Sequence, residues 1–142
     1  MAKQNILDKL GVDVGFKTTH MKTVTEADIV IFAGMSGDFN PVHMCEEYAK
    51  KTPFGSRIAH GVIAMGLLSA SMAKLPGLSI LLSLSARFLK PVRIGDTITA
   101  IAEVTGTRQD RGIITLKNTC VNQKGEIVVE GEATCMLSVA PS

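Results

Sequence analysis

The sequence predicts an α+β fold in which an antiparallel β-sheet wraps a long central apolar helix. Three observations predict it. Residues 59–75 are small and apolar on nearly every side, four segments after "LPG" at 75–77 alternate polar with apolar residues, and one strand and two capped helices precede them. At 142 residues the chain has the length of one ordinary domain, 1–142, with a single core.

Residues 14–24, "VGFKTTHMKTV", are rich in Thr and Val and read as the first strand. "TEADIVIFAGMSG" follows. Thr25 is placed to cap a helix over about Glu26 to Met35, Asp28 sits three residues on as in a capping box, and Gly37 fits the left-handed position beyond its end. Asn40 is suited to cap a second helix and Pro41 to open it, because proline has no N–H to leave unpaired and its φ is already helical. This short helix is expected to run through Lys51. From Ala59 to Leu75 the pattern predicts a helix buried all round, in which Gly61, Ala64, Gly66, Ala70 and Ala73 let other backbones approach. The alternating segments at 78–90, 97–108, 112–122 and 126–139 are strands, and "RQDRG" and "NQKG" supply turns that make the last three sequential antiparallel hairpins.

The composition excludes several function classes. The net charge is +2, with lysines and arginines scattered and no basic cluster interleaved with aromatics, so no nucleic-acid partner is expected. The longest apolar stretch, Gly61 to Ala73, is broken by serines and falls short of the ~20 residues that cross a bilayer, so no membrane partner is expected either. The first fifteen residues lack the apolar core and cleavage pattern of a secretion signal, which predicts a cytoplasmic protein. Cys45, Cys120 and Cys135 are an odd number, lie far apart and form no Cys-x-x-Cys pair, so they read as reduced packing residues. No pair among His20, His43 and His60 has metal-ligand spacing, and neither a metal nor a cofactor is expected.

The chemistry concentrates in "GDFNPVH" at 37–43. His43 falls in the first turn after the Asn40 cap, where a neutral imidazole able to accept a proton is favoured. Asp38 lies just outside that cap, in a connection held extended by Pro41, so carboxylate and imidazole can address one space from a rigid corner. Such a pair suits acid and base work on a bound water, although Asp, Asn and Pro are equally ordinary turn formers. A second feature adds to it: in "RIAHGVIAMG" the apolar helix begins near Gly61 and leaves unpaired N–H groups, a ready site for a developing oxyanion.

Residues 36–70, with their Asp-x-Asn-Pro-x-His core, the Thr-x-Phe at 52–54 and the His-Gly opening of the apolar helix, resemble the hydratase motif of the MaoC-like (R)-specific enoyl-CoA hydratases, a family of the hot-dog fold. The similarity continues through "LSARFLKPVRIGDTI" at 84–98 and covers about the whole chain. The resemblance implies a catalytic dyad at Asp38 and His43, a carbonyl-polarising N–H at Gly61 and a supporting serine at Ser69. It implies reversible syn addition of water to a trans-2-enoyl thioester, giving the (R)-3-hydroxyacyl thioester, with coenzyme A or acyl carrier protein as the carrier. It also implies a homodimer. Acyl length, the pathway, and which dyad member is acid and which is base stay open.

Two other readings share or leave the fold. Hot-dog acyl-CoA thioesterases commonly carry their carboxylate on the central helix, and residues 59–73 contain neither Asp nor Glu. A non-catalytic acyl-thioester-binding protein would not need Asp38 and His43 together. Arg57, Lys90 and Arg93 are candidates for coenzyme A phosphates, Met65 and Met72 for core filling or an acyl tunnel, and His60 for bonding a nearby backbone group.

Overall fold

The computed structural model describes residues 5–142, so the first four residues of the N-terminal stretch read for a secretion signal lie outside the described residues. A short helix, α1 (Ile6–Leu10), is capped by Asn5 and closed by Gly11 in the left-handed region at φ 71°. Its Leu7 is fully buried. Sequence periodicity does not reveal this element, since five residues are less than two turns. Strand β1 (Lys17–Thr23) follows, then α2 (Glu26–Ser36), whose capping box between Thr25 and Asp28 and left-handed Gly37 are those expected.

The second helix does not run through Lys51. It breaks at Cys45 into α3 (Pro41–Met44) and α4 (Glu46–Ala49), because Cys45 adopts φ −127° and ψ 108°. The cause is tertiary. The carbonyl of Val42 is taken by the Ile58 N–H at 3.2 Å and that of His43 by Arg57 Nε at 2.6 Å, so neither accepts from the next helical turn.

Helix α5 (Gly61–Met72) is the central apolar helix, with Ala64, Leu67, Leu68, Ser71 and Met72 turned into the core. It is not buried all round. Val62, Gly66, Ser69 and Ala73, spaced three or four residues apart, form an exposed stripe of apolar and small side chains.

Strands β2 (Leu78–Phe88), β3 (Thr97–Arg108), β4 (Ile113–Val121) and β5 (Ile127–Ser138) join β1 in one antiparallel sheet of order β1-β3-β4-β5-β2. The expected hairpins β3-β4 and β4-β5 are present. Alternation places Ile98, Ala100, Ala102 and Val104 of β3, and Ile114, Leu116 and Cys120 of β4, in the buried core against α5. One rung crossing all five strands is Thr18, Ala102, Asn118, Gly131 and Ala86. These side chains are small enough for the helix to lie close, and Thr18 Oγ1 shares a 3.0 Å hydrogen bond with Ser71 Oγ of α5. Cys120 also donates to the Ala64 carbonyl at 3.7 Å. Burial pushes its thiol up to about 12, so it is a packing group and not a nucleophile.

The two sheet edges differ. Edge strand β1 carries lysines at 17 and 22, whereas β2 exposes Leu78, Ile80, Leu81 and Leu82.

Candidate active site

The corner between α2 and α5 is built by local polar bonds. Gly37 ends α2 at φ 83°, where its N–H reaches the Ala33 carbonyl at 2.9 Å. The Asp38 N–H then donates to Ser36 Oγ, and Asp38 Oδ1 accepts from the Asn40 N–H at 3.2 Å. Asn40 is an N-cap as expected, accepting from the Val42 N–H, and Pro41 opens α3. These turns aim a half-buried Asp38 and a His43 that is 9% exposed into one space. A carboxylate oxygen of Asp38 and a ring nitrogen of His43 lie within 4.8 Å, a span that one water can bridge with two hydrogen bonds.

A five-residue segment, Arg57 to Gly61, holds this corner from the other side. Its Ile58 carbonyl is 2.8 Å from His43 Nδ1. A carbonyl can only accept, so Nδ1 carries the proton and Nε2 is left as the bare, proton-accepting nitrogen. This bond sets the tautomer. The helix dipole expected from the sequence has little hold, since α3 is only four residues long.

Arg57 is spent on the same framework. Besides its bond to the His43 carbonyl, its guanidinium grips both carboxylate oxygens of Glu26 at 2.9 and 3.0 Å, and its N–H meets Glu46 Oε2 at 3.2 Å. His60 is 1% exposed, and its Nε2 lies 2.9 Å from the Asp38 carbonyl. Its ring lies against that of His43, centroids 4.0 Å apart and planes tilted by 33°, and against Phe32 at 4.7 Å, tilted by 55°.

Beside the corner opens a pocket of about 380 Å³, lined by His43, Phe54, Gly61, Val62, Phe88 and Val129 among others. Gly61 and Val62 are the first residues of α5, and His60 gives that helix no side-chain cap. Among the described residues their N–H groups have no backbone acceptor, so the helix start presents donors where it meets the pocket. Gly61 leaves room for the Phe88 ring. A Cβ built there would lie 2.8 Å from Cδ1 of the Phe88 ring. A largely apolar pocket with an imidazole and backbone donors in its wall, and the Asp38 carboxylate beside that imidazole, can hold an acyl chain and act on its carbonyl end.

Residues 10–124 match the MaoC-like domain family. The chain belongs to that family. The MaoC-like chain is 47% identical over 118 residues to the (R)-specific enoyl-CoA hydratase of Rhodospirillum rubrum, covering 82% of this chain and 81% of that one. It is 40% identical over 124 residues to the 3-hydroxybutyryl-CoA dehydratase of Methylorubrum extorquens, covering 86% and 78%. Among solved structures it resembles the (R)-hydratase of A. caviae involved in PHA biosynthesis, with a TM-score of 0.85 and 39% identity over 89% of this chain and 98% of that one. The sheet wrapped on α5 is the hot-dog fold expected from the resemblance.

Within this MaoC-like corner the structure brings together Asp38, His43 and Gly61. It does not bring Ser69, which lies on the exposed stripe of α5, about 12 Å further along the helix than Gly61. Of the candidate phosphate-binding cations, Arg57 is engaged as above and Arg93 bonds the Ser56 hydroxyl at 2.8 Å, whereas Lys90 pairs with Glu126 and lines the pocket. Met72 fills the core, 2% exposed, with its sulfur 3.8 Å from Cys135.

Among the described residues, Asp38, His43 and His60 are those whose atoms could hold a metal, since one donor from each lies within 4.8 Å of the others. Each histidine spends one ring nitrogen on a backbone carbonyl, so each ring has one nitrogen left to offer. From the sequence, His60 is expected only to bond a nearby backbone group. That bond exists, but its acceptor is Asp38, and the adjacent "HG" of the helix start was the available signal.

Proposed function

We propose that this protein is an (R)-specific enoyl-CoA hydratase, a hydro-lyase that reversibly adds water to trans-2-enoyl thioesters. Asp38 and His43 are its catalytic dyad and the Gly61 N–H its carbonyl-polarising donor. The observation that carries the reading is a carboxylate oxygen of Asp38 within 4.8 Å of a ring nitrogen of His43, whose Nδ1 is taken up by the Ile58 carbonyl, beside an uncapped helix start that opens on an acyl-sized pocket. The relatives named hydratase and dehydratase support it, being the two directions of one reaction.

In the hydration direction the dyad holds one water over the β-carbon. As the water oxygen bonds to that carbon, its proton passes to His43 Nε2, while the π electrons move toward the thioester oxygen and form an enolate. The Gly61 N–H stabilises that charge, and such a donor contributes about 2.7–4 kcal/mol to the transition state. A proton returned from the dyad to the α-carbon completes the net addition of one water. Because water and proton come from one side of the substrate, the addition is syn. Asp38, whose Oδ1 is tied to the Asn40 N–H, orients the water by accepting from it. No cofactor enters this chemistry.

The central helix carries no carboxylate from Gly61 to Met72, which disfavours the thioesterase reading. The deciding assay follows loss of the conjugated enoyl-thioester absorbance with crotonyl-CoA. Asp38→Asn and His43→Ala are each expected to lower kcat about 10²- to 10⁴-fold, the range of general acid–base catalysis. Undiminished turnover in both would defeat the dyad, and release of free thiol would select the thioesterase.

The protein acts as a homodimer in this proposal. The apolar edge of β2 and the small-residue stripe of α5 form the unguarded surface that a second copy would cover, with Ser69 on it. A monomer in sedimentation at micromolar concentration would contradict that part. Among the described residues no helix is long and apolar enough to cross a membrane, and a cytoplasmic location remains part of the proposal.

A further inference from the structure

His60 has no place in the proton transfers above, yet it is the most completely enclosed titratable side chain beside the dyad. Its Nε2 faces the Asp38 carbonyl oxygen at 2.9 Å, so Nε2 must carry the proton of that bond. Its Nδ1 is buried with no hydrogen-bond partner among the described residues. The ring contacts Phe32 of α2 and His43 of α3. It therefore touches both dyad members, one by its edge and the other by its face, and it immediately precedes Gly61 in the chain.

We propose that His60 is a positioning residue for the hydration reaction: it fixes the distance between Asp38 and His43 and ties both to the carbonyl-polarising start of α5. The Nε2–H bond holds the Asp38 backbone, which has no helix or strand to hold it, and the tilted ring contact at 4.0 Å limits how far the His43 ring can swing. A shift of the carboxylate by a fraction of an ångström would release the shared water, since the pair is already spaced for one molecule. His60 neither accepts nor gives a proton in the reaction. This inference rests on the hydratase reading.

Three substitutions separate a donor at the Nε2 position from mere bulk. In His60→Gln the amide nitrogen stands the same number of bonds from Cβ as Nε2 and can donate to Asp38. In His60→Asn it stands one bond short, and His60→Leu has no donor. With crotonyl-CoA, the Asn and Leu variants are expected to lose about 10- to 100-fold in kcat with KM little changed, the scale on which residues that orient catalytic ligands act. The Gln variant should recover most of that loss. The two limbs of the pH profile should stay where the wild type has them. Glutamine no better than leucine, or leucine as active as wild type, overturns the proposal. So does loss of one limb in the Gln variant, which would make His60 a proton carrier.

Ring-nitrogen NMR of the wild-type protein supplies a readout independent of turnover, and it decides should the variants not fold. The expected signal is an Nε2–H tautomer with a bare Nδ1, and an Nδ1–H tautomer overturns the assignment. Wild-type protein that fails to hydrate crotonyl-CoA sinks the hydratase reading instead, while the tautomer still reports whether His60 holds Asp38.

Discussion

The sheet with α5 and the corner at residues 37–61 are held together in opposite ways. Under α5 the contacts are apolar and distributed: Leu68, Ile98, Ile114, Leu116 and Val128 are all buried, and no single bond decides their placement. In the corner Asp38 and the four-residue helix α3 hang on side-chain-to-backbone bonds with Arg57, Ile58 and His60, each contributing about 1 kcal/mol net. Burial supplies stability and directional bonds supply geometry. Damage to the two regions should therefore read out on different instruments.

The largest stability effect is expected in the core. Leu68→Ala should cost about 2–5 kcal/mol, measured by denaturant unfolding, with kcat per folded molecule retained. A large loss of kcat in that variant would erase the distinction between the regions, just as His60 variants that melted early without losing kcat would.

A smaller effect tests the entrance to the corner at the start of α2. Burial pushes the Asp28 carboxyl up, but the Lys22 ammonium at 2.7 Å and the Thr25 N–H at 2.9 Å outweigh it and hold the group below its ordinary value near 3.8. A depressed carboxyl contributes its stability above the ordinary value and loses it as pH falls through the folded-state value. Asp28→Asn should lower stability by about 0.5–1 kcal/mol at neutral pH, and the difference from wild type should shrink below about pH 4. A difference that grew in acid would contradict the sign.

What could be read from the sequence divides along the same line. The Thr25–Asp28 capping box, the left-handed Gly37 and the period-two strands are local signals, and they appear where expected. The Asn40-Pro41 helix start was equally local. Its break at Cys45 was not, because the cause is capture of the Val42 and His43 carbonyls by a segment fourteen to sixteen residues away. The all-round apolar character of 59–75 was read correctly as composition and wrongly as burial. One sheet covers only one side of α5, and the stripe through Gly66 and Ser69 remains uncovered in the single chain. His60 was visible as a residue at a helix start, but its acceptor lies 22 residues away and no sequence spacing encodes it.

The most direct measurement of the central claim is the stereochemistry of hydration run in D2O. A single water held between Asp38 and His43 delivers oxygen to the β-carbon and deuterium to the α-carbon on one face of crotonyl-CoA. Proton NMR coupling constants of the isolated product should then show one diastereomer, that of syn addition, with R configuration at C3. An anti product, or a mixture of diastereomers formed at the enzymatic rate, would mean that carboxylate and imidazole do not share that water.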